Sequence, residues 1–402
     1  MIEIAILGHG VVGSGVAEVL NTNKEHIARK VGQELRVKRI LDLRSFPELP
    51  YAALFTTVFD DILQDEDIRI VVETMGGLHP AYDFVKACLL AGKSVVTSNK
   101  ELVAAKGDEL LAIAKANNLN FLFEASVGGG IPIIRPLDQC LAANEVCEIA
   151  GILNGTTNFM RTRMVQDGMD FEEALRLAQS LGYAERDPSA DVGGHDACRK
   201  ICILASLAFG RHVYPEQVHT EGITAVTAAD VACAAACGHV IKLIGRVARR
   251  GEQLECQVAP MLIPCSSLLS DVNDVFNAVL VRGNAVGDVV FYGRGAGKLP
   301  TASAVVADVM DAAKHLGARK ALYWEAGAPD LVADYSGYTA AYMLRLAGVV
   351  PAQLPAGWGL IDGAPAGQIA VLTPPMTEAA LTQAINAIPD ATLLSSLRVA
   401  EF

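Results

Sequence analysis

The sequence predicts an α/β protein whose first third is a doubly wound parallel sheet and whose remainder has α+β character. Three observations carry this. The chain opens with an apolar strand running straight into a glycine-rich turn, MIEIAILGHGVVG. Up to Ile133, strand-length apolar runs alternate with helical periodicity across short turns, the pattern of βαβ units. Beyond Ile133, strands are separated instead by hairpin-like turns or long helices. With 402 residues the chain exceeds one ordinary core, so two or three domains are expected.

In chain order, Ile2 to Leu7 is a buried strand and Gly8-His9-Gly10-Val11-Val12-Gly13 leads into an amphipathic helix ending near Leu20. Gly8 permits a tight turn, Gly10 lets backbone approach a pyrophosphate, and Gly13 lets the helix pack on the sheet. Phosphate then rests at the positive helix N-terminus, with Val11 and Val12 in its first turn. Only the strand-turn-helix context makes this motif informative, and here the context is present. A Rossmann-type dinucleotide site follows.

Leu35 to Leu43 reads as the second strand, ending at Asp42 where the ribose-binding acid of this fold sits, which favours NAD. Arg44 pulls toward NADP, because a guanidinium can pair with a 2′-phosphate. Ile68 to Glu73 is a third strand, followed by Thr74-Met75-Gly76-Gly77, where small residues let a cofactor lie against backbone. A helix Ala81 to Ala91, a strand Ser94 to Thr97, Ser98-Asn99-Lys100-Glu101, a helix near Asp108 to Ala116 and a strand Asn120 to Glu124 complete the alternation. Thr74 to Gly77, Ser98 to Lys100 and Glu124 to Gly130 all fall at carboxyl ends of strands, where ligands of parallel sheets gather.

Downstream, strands are expected at Val146 to Leu153, Leu254 to Ile263 and Val279 to Val281. Thr301 to Leu316 reads as a helix capped by Thr301, closed at Gly317 and packed back on the nucleotide domain. The expected boundaries are 1–132 for dinucleotide binding, 133–300 for a second domain and 326–402 for a C-terminal module. In that module strands are expected at Tyr342 to Leu346, Gly357 to Asp362, Gln368 to Leu372 and Leu397 to Phe402, with a helix Thr377 to Ile388.

Composition narrows the function classes. A net charge of −12 with no basic run disfavours nucleic acid and anionic lipid as partners. No apolar stretch reaches the roughly 20 residues that span a bilayer, and the first residues lack a secretory pattern, so a cytoplasmic enzyme is expected. Nine cysteines include no C-x-x-C pair. Cys198/Cys202 and Cys233/Cys237 lie four apart on alanine-rich helical stretches and read as small core residues, not metal ligands.

Seven ordered blocks resemble the homoserine dehydrogenase family: GHGVVG from Gly8, ETMGG from Glu73, TSNKELVA from Thr97, EASVGGGIPII from Glu124, GILNGTTNF from Gly151, GYAERDPSADVGGHDACRK from Gly182 and GRGAGKLPTASAVVAD from Gly293. The resemblance runs from Met1 to about Leu316. It implies NAD(P)-dependent interconversion of L-homoserine and L-aspartate 4-semialdehyde, a step toward threonine and methionine, by a homodimer joined through the middle domain. Aldehyde reduction needs a hydride and a proton for the developing alkoxide. Lys100 and Lys200 match active-site lysines of the family. Two ammonium groups converging in one crevice would lower each other's pKa. Lys200 is assigned as proton donor, and Lys100 as a group contacting both cofactor and substrate oxygen. Without the resemblance, Lys200 reads as a surface lysine paired with Asp196 one helical turn away, and Glu185 to Asp196 as a polar loop.

The match carries Glu185 to the substrate ammonium, with Asp191 and Asp196 supporting substrate and lysine. Asn154 to Thr157, including Gly155 and Thr156, offer donors suited to the substrate carboxylate. It further implies a monovalent cation, often sodium, on backbone carbonyls of Glu124, Val127, Gly129 and Ile131; a glycine-rich turn can aim carbonyls at one point, or serve merely as a hinge.

Many relatives end in a β-α-β-β-α-β ACT domain that reads threonine. Gln368 to Phe402 resembles its last β-α-β, but Pro351 and Pro355 leave no room for its first helix. A remodelled ACT-like module with a stabilising or oligomer-contact role is expected. The alternatives are another semialdehyde reductase, such as an aspartate-semialdehyde dehydrogenase, and a non-catalytic NAD(P)-binding sensor. The first needs an activated cysteine that no turn here supplies; both lysines and Glu185 argue against the second.

Overall fold

The computed structural model describes residues Met1–Phe402. The chain forms two compact units, the first comprising Met1–Glu145, Cys202–Pro215 and Gly293–Ala328, the second the remainder.

The first unit holds six strands, β1 (Ile2–Leu7), β2 (Leu35–Leu41), β3 (Phe55–Thr56), β4 (Ile68–Glu73), β5 (Ser94–Thr97) and β6 (Phe121–Leu122). They form one sheet in the order β3-β2-β1-β4-β5-β6, every pair parallel. The order reverses at β1, which places the carboxyl ends of β1 and β4 at the topological switch point. Every residue of β1 is buried, Glu3 included, as in a parallel sheet covered on both faces.

The helix Val11–Thr22 packs against the helix Lys298–Lys314. Gly15 makes this contact close, since a Cβ there would lie 2.9 Å from the Lys298 carbonyl oxygen. The later helix departs from expectation at both ends. It starts at Lys298 with Gly297 as N-cap, so Thr301 is a buried residue inside the helix and not its cap, and it ends at Lys314 before Gly317 is reached. Pro300 is tolerated because first-turn N–H groups have no intrahelical acceptor to lose. The helix expected from Asp108 begins instead at Lys100, where the Asn99 side chain caps it by accepting the Leu102 N–H at 3.1 Å.

The second unit is built on an 11-stranded mixed sheet. Its spine is a long antiparallel hairpin, His239–Arg250 against Gln253–Pro264 in unbroken register. Val146–Ile152 and Phe276–Gly283 continue the sheet on one side. Residues 326–402, which the sequence sets apart as a module, fall in this unit apart from their first three. The strand Thr392–Val399 joins the spine in parallel at Met261 and Leu262, and Thr339–Ala347 follows it antiparallel. A single 3₁₀ turn, Pro351–Gln353, stands where a first helix of an ACT-type module would run. The helix Glu378–Asn386, capped by Thr377, buries Leu381 and Ile385 against Tyr342, Leu344 and Trp358.

Cys198, Cys202 and Cys233 are buried, as expected of core residues, and Cys237 is half-buried. No helix is long and apolar enough to cross a membrane.

Candidate active site

The glycine turn of the first unit is built as its residue types require. Gly8 has φ +93°, a left-handed value. At Gly13 a Cβ would stand 2.0 Å from the Gly8 carbonyl oxygen, so only glycine allows the helix to start there. A Cβ on Gly10 would meet nothing within 4 Å. Gly10 caps the helix without any side-chain bond, so the positive N-terminus with Val11, Val12 and Gly13 stays available to an anion. Backbone, helix end and open space therefore fit a dinucleotide pyrophosphate.

Neighbouring strand ends are stitched to this turn. Thr74 Oγ1 donates to the Leu7 and Gly8 carbonyls at 3.1 and 2.9 Å. Glu73, fully buried at the end of β4, accepts the N–H groups of Met75 and Gly76 at 2.7 and 3.2 Å and the Thr97 hydroxyl at 2.5 Å. Burial pushes its carboxyl pKa upward against those bonds. Asn99 Nδ2 donates to the Gly77 carbonyl at 2.7 Å, and Ser98 N–H to that of Glu73 at 3.3 Å. Lys100 follows as the first residue of its helix. Glu73 and Asn99 had no assigned role in the sequence reading. An acid ending a strand before Met-Gly-Gly is a signal, but its partner Thr97 is known only once β4 and β5 pair.

Asp42 and Arg44 lie together. Asp42 Oδ2 accepts the His9 N–H at 2.7 Å and Arg44 Nη2 at 2.9 Å; Oδ1 accepts the Arg44 backbone N–H and Nε, both at 2.9 Å. The Arg44 guanidinium holds the Asp42 carboxyl well below the usual carboxylate range. Arg44 itself is 62% exposed and lies over the Phe46 ring at 5.3 Å. Asp42, Arg44, Phe46 and Phe55 line an open pocket of about 540 Å³. The buried His9 ring stands edge-on to Phe46, Tyr51 and Phe55, and burial lowers its pKa.

Of the residues that the resemblance implies for a cation, Glu124 uses its carboxylate otherwise, accepting the N–H groups of Ile133, Ile134 and Arg135 at 2.6 to 2.8 Å. Its own N–H donates to buried Asp308 at 2.7 Å, which also pairs with Arg135. Val127 is in a short helix, Gly129 has φ +57°, and Ile131 N–H donates to the Gly128 carbonyl at 2.9 Å.

In the second unit a chain of polar groups surrounds Lys200. Its ammonium donates to Asp196 Oδ2 at 2.8 Å and to the Leu153 carbonyl at 2.7 Å. Lys200 is only 7% exposed and Asp196 3%, so this is a buried ion pair and not the surface pair that composition alone suggests. Asn154 organises it: Nδ2 donates to Asp191 at 2.7 Å and Asp196 at 2.9 Å, while Oδ1 accepts the Thr157 N–H at 2.8 Å and caps the helix Gly155–Gln166. Thr156 Oγ1 donates to the Tyr183 carbonyl at 2.6 Å, fastening the loop that continues to Glu185. Gly155 is fitted against the chain, since a Cβ would lie 2.9 Å from the Val275 carbonyl oxygen. Asp191, Asp196 and Lys200 are thus gathered at one helix N-terminus, whereas Glu185 lies exposed on its loop.

Known proteins resemble this chain over both units. A family model described as homoserine dehydrogenase, NAD binding domain, matches residues 8–124, and one described as homoserine dehydrogenase matches residues 132–310. The homoserine dehydrogenase of Synechocystis sp. is 47% identical over 316 residues, 77% of this chain and 73% of its own length. A structure of a homoserine dehydrogenase from Thiobacillus denitrificans is similar with a TM-score of 0.88 at 38% identity, covering 100% of this chain and 98% of that one. A hyperthermophilic archaeal homoserine dehydrogenase in complex with NADPH has a TM-score of 0.67 at 30% identity, over 77% of this chain and 97% of its own. With the two family models matched in order along the chain, the chain belongs to the homoserine dehydrogenase family.

Proposed function

We propose that this protein reduces L-aspartate 4-semialdehyde reversibly to L-homoserine, with Lys200 as the proton donor. The observation that carries the reading is the buried Lys200 ammonium fixed by Asp196 and the Leu153 carbonyl. When bound, the nicotinamide dinucleotide supplies the hydride. Lys200 Nζ gives a proton to the carbonyl oxygen as it gains negative charge, and takes the hydroxyl proton in the reverse direction. Asp196 fixes the direction of the lysine, and Asn154 fixes Asp196. Lys100 contacts cofactor and substrate oxygen. Glu185 receives the substrate ammonium, Gly155 and Thr156 present first-turn N–H groups to its carboxylate, and Asp191 supports them.

Asp42 at a strand end favours NAD in sequence. In three dimensions its two oxygens are bonded to His9 and Arg44, so a guanidinium stands beside the acid that would hold the ribose. That supports NADP(H) as the preferred cofactor, with NAD(H) accepted when the exposed Arg44 swings away. A monovalent cation such as sodium on the carbonyls of Glu124, Val127, Gly129 and Ile131 is part of the reading, supported by the turn at Gly129, as is a homodimer through 133–300, which light scattering tests.

The deciding assay follows oxidation of NADPH and NADH at 340 nm with aspartate semialdehyde, beside aspartyl phosphate and a no-substrate control. Semialdehyde-dependent oxidation, faster with NADPH at low concentration, is expected. Oxidation with aspartyl phosphate alone, or none with any substrate, would overturn the reading.

A further inference from the structure

In the first unit the ends of β4 and β5 are closed into one hydrogen-bonded ring with a carboxylate as its hub. Glu73, the last residue of β4, is fully buried. Its Oε1 accepts the N–H groups of Met75 and Gly76, at 2.7 and 3.2 Å, and its Oε2 accepts the Thr97 hydroxyl at 2.5 Å. Thr97 Oγ1 in turn accepts the Asn99 N–H at 2.9 Å. Asn99 closes the ring: its Nδ2 donates to the Gly77 carbonyl at 2.7 Å, while its Oδ1 accepts the Leu102 N–H and caps the helix that Lys100 begins.

The two oxygens of Glu73 hold different things. Oε1 folds the turn through Gly76 and Gly77, whose φ values of +76° and +70° are left-handed. Oε2 fixes Thr97, and through Asn99 the residue at which Lys100 leaves the strand end. Burying a carboxylate is costly, and an apolar side chain would end a buried strand at less expense. What a carboxylate alone supplies here is an acceptor on both sides at once, because an amide has one oxygen and a hydroxyl is a single atom.

We propose that Glu73 is a positioning residue for the dehydrogenase reaction, holding Lys100 in register with the cofactor loop Thr74 to Gly77. This rests on the roles given above to Lys100 and to that loop. Glu73 touches neither substrate nor cofactor in this assignment; it makes loop and lysine one rigid piece, so that a bound cofactor and the Lys100 ammonium keep a fixed separation.

Glu73→Gln separates the two halves. The glutamine oxygen must face the Met75 and Gly76 N–H groups, which leaves its NH2 facing Thr97 Oγ1 and strands the Thr97 proton without its acceptor. The loop half is kept and the Lys100 half is broken. Turnover with aspartate semialdehyde should therefore fall about ten- to a hundredfold, the scale of a misplaced reacting group, while NADPH affinity by fluorescence titration stays nearly unchanged. Thr97→Val cuts the same link from its other side and should match it, Thr97→Ser should recover most of the kcat lost in Thr97→Val, and the double variant should be no slower than the poorer single one. A lower melting point with kcat per folded enzyme unchanged, or a loss confined to cofactor affinity, overturns the proposal. Hydrogen exchange supplies a readout that needs no turnover: in Glu73→Gln the Asn99 amide should exchange faster than in the parent while those of Met75 and Gly76 stay protected, and unchanged exchange at Asn99 overturns the proposal. A parent protein that fails to oxidise NADPH with the semialdehyde would instead sink the proposed function, and exchange at Asn99 would still decide whether Glu73 holds the Lys100 segment. Should Glu73→Gln fail to fold, Thr97→Val beside Thr97→Ser carries the same readings.

Discussion

Lys200 is held from two sides, by a carboxylate one turn back on its own helix and by the carbonyl of Leu153, just past the strand Val146–Ile152. On the proposed reading this holds the proton donor in place before the reaction, so little rotamer entropy is lost in reaching it. Replacing Lys200 by Met should lower kcat about a hundredfold or more, the usual scale for a lost general acid, while cofactor affinity by fluorescence titration stays nearly unchanged. Lys200→Arg should fail almost as badly, because a guanidinium keeps its proton and has a different fork geometry. Activity within tenfold of the parent in either variant would dismiss the assignment. Arg44 offers a second residue-level test. If its guanidinium receives a 2′-phosphate, Arg44→Ala should raise KM for NADPH about tenfold or more, the scale of a hydrogen bond to a charged group, with KM for NADH altered far less. A parallel rise for both cofactors would show that Arg44 does not discriminate. The types Lys, Glu and Asp were legible in sequence as candidates, yet burial separated them: Lys200 and Asp196 are enclosed and Glu185 is exposed.

The strand, turn and helix at residues 2–22 form the element most fully legible in sequence, because each glycine answers a local steric demand. Gly13 and Gly10 make a discriminating pair. Gly13→Ala drives a Cβ to 2.0 Å from the Gly8 oxygen and 2.8 Å from Thr74 Oγ1, so both thermal stability and cofactor affinity should drop, the latter about tenfold or more. Gly10→Ala places its Cβ where no protein atom lies within 4 Å. The melting point should therefore move little, as for surface substitutions, while cofactor affinity falls. A Gly10→Ala protein that binds cofactor normally would contradict a pyrophosphate lying there. Helix ends were harder to read. Thr301 looks like a cap, but the chain starts its helix earlier because Gly297 can take φ +127° and Pro300 suits a first turn. At Lys100 the cap is Asn99, whose amide also reaches Gly77; that double use is a tertiary fact.

At the scale of the whole molecule, the C-terminal strands are bound into the second unit by a buried ion pair. Arg345 reaches Asp230 at 2.7 Å, Gln368 at 2.7 Å and Thr227 at 3.0 Å. Arg345→Met leaves the Asp230 carboxylate buried and uncompensated, and should cost about 3–5 kcal/mol in denaturant unfolding. The pH dependence has a definite sign. Although burial raises the Asp230 pKa, its bonds to Arg345 and Thr227 outweigh that and set it below the ordinary value. A carboxylate depressed in the folded state stabilises above its unfolded pKa of about 3.9 and loses that contribution as pH falls through the folded value. Unfolding midpoints of the parent should therefore decline below about pH 4 more steeply than those of Asp230→Asn; identical slopes would show that this pair is not part of the acid response.

The sequence alone determined the parallel sheet, the dinucleotide turn, the family and the identity of the chemical groups, because these rest on periodicity, on glycine sterics and on motif order, all local properties of the chain. Tertiary structure decided what those groups face. It enclosed Lys200 with Asp196 through Asn154, committed Asp42 to Arg44, and carried residues 339–399 onto the sheet of the second unit. Burial and pairing join residues distant along the chain, and a side chain's charge and reach give no sign of which partner the fold will bring to it.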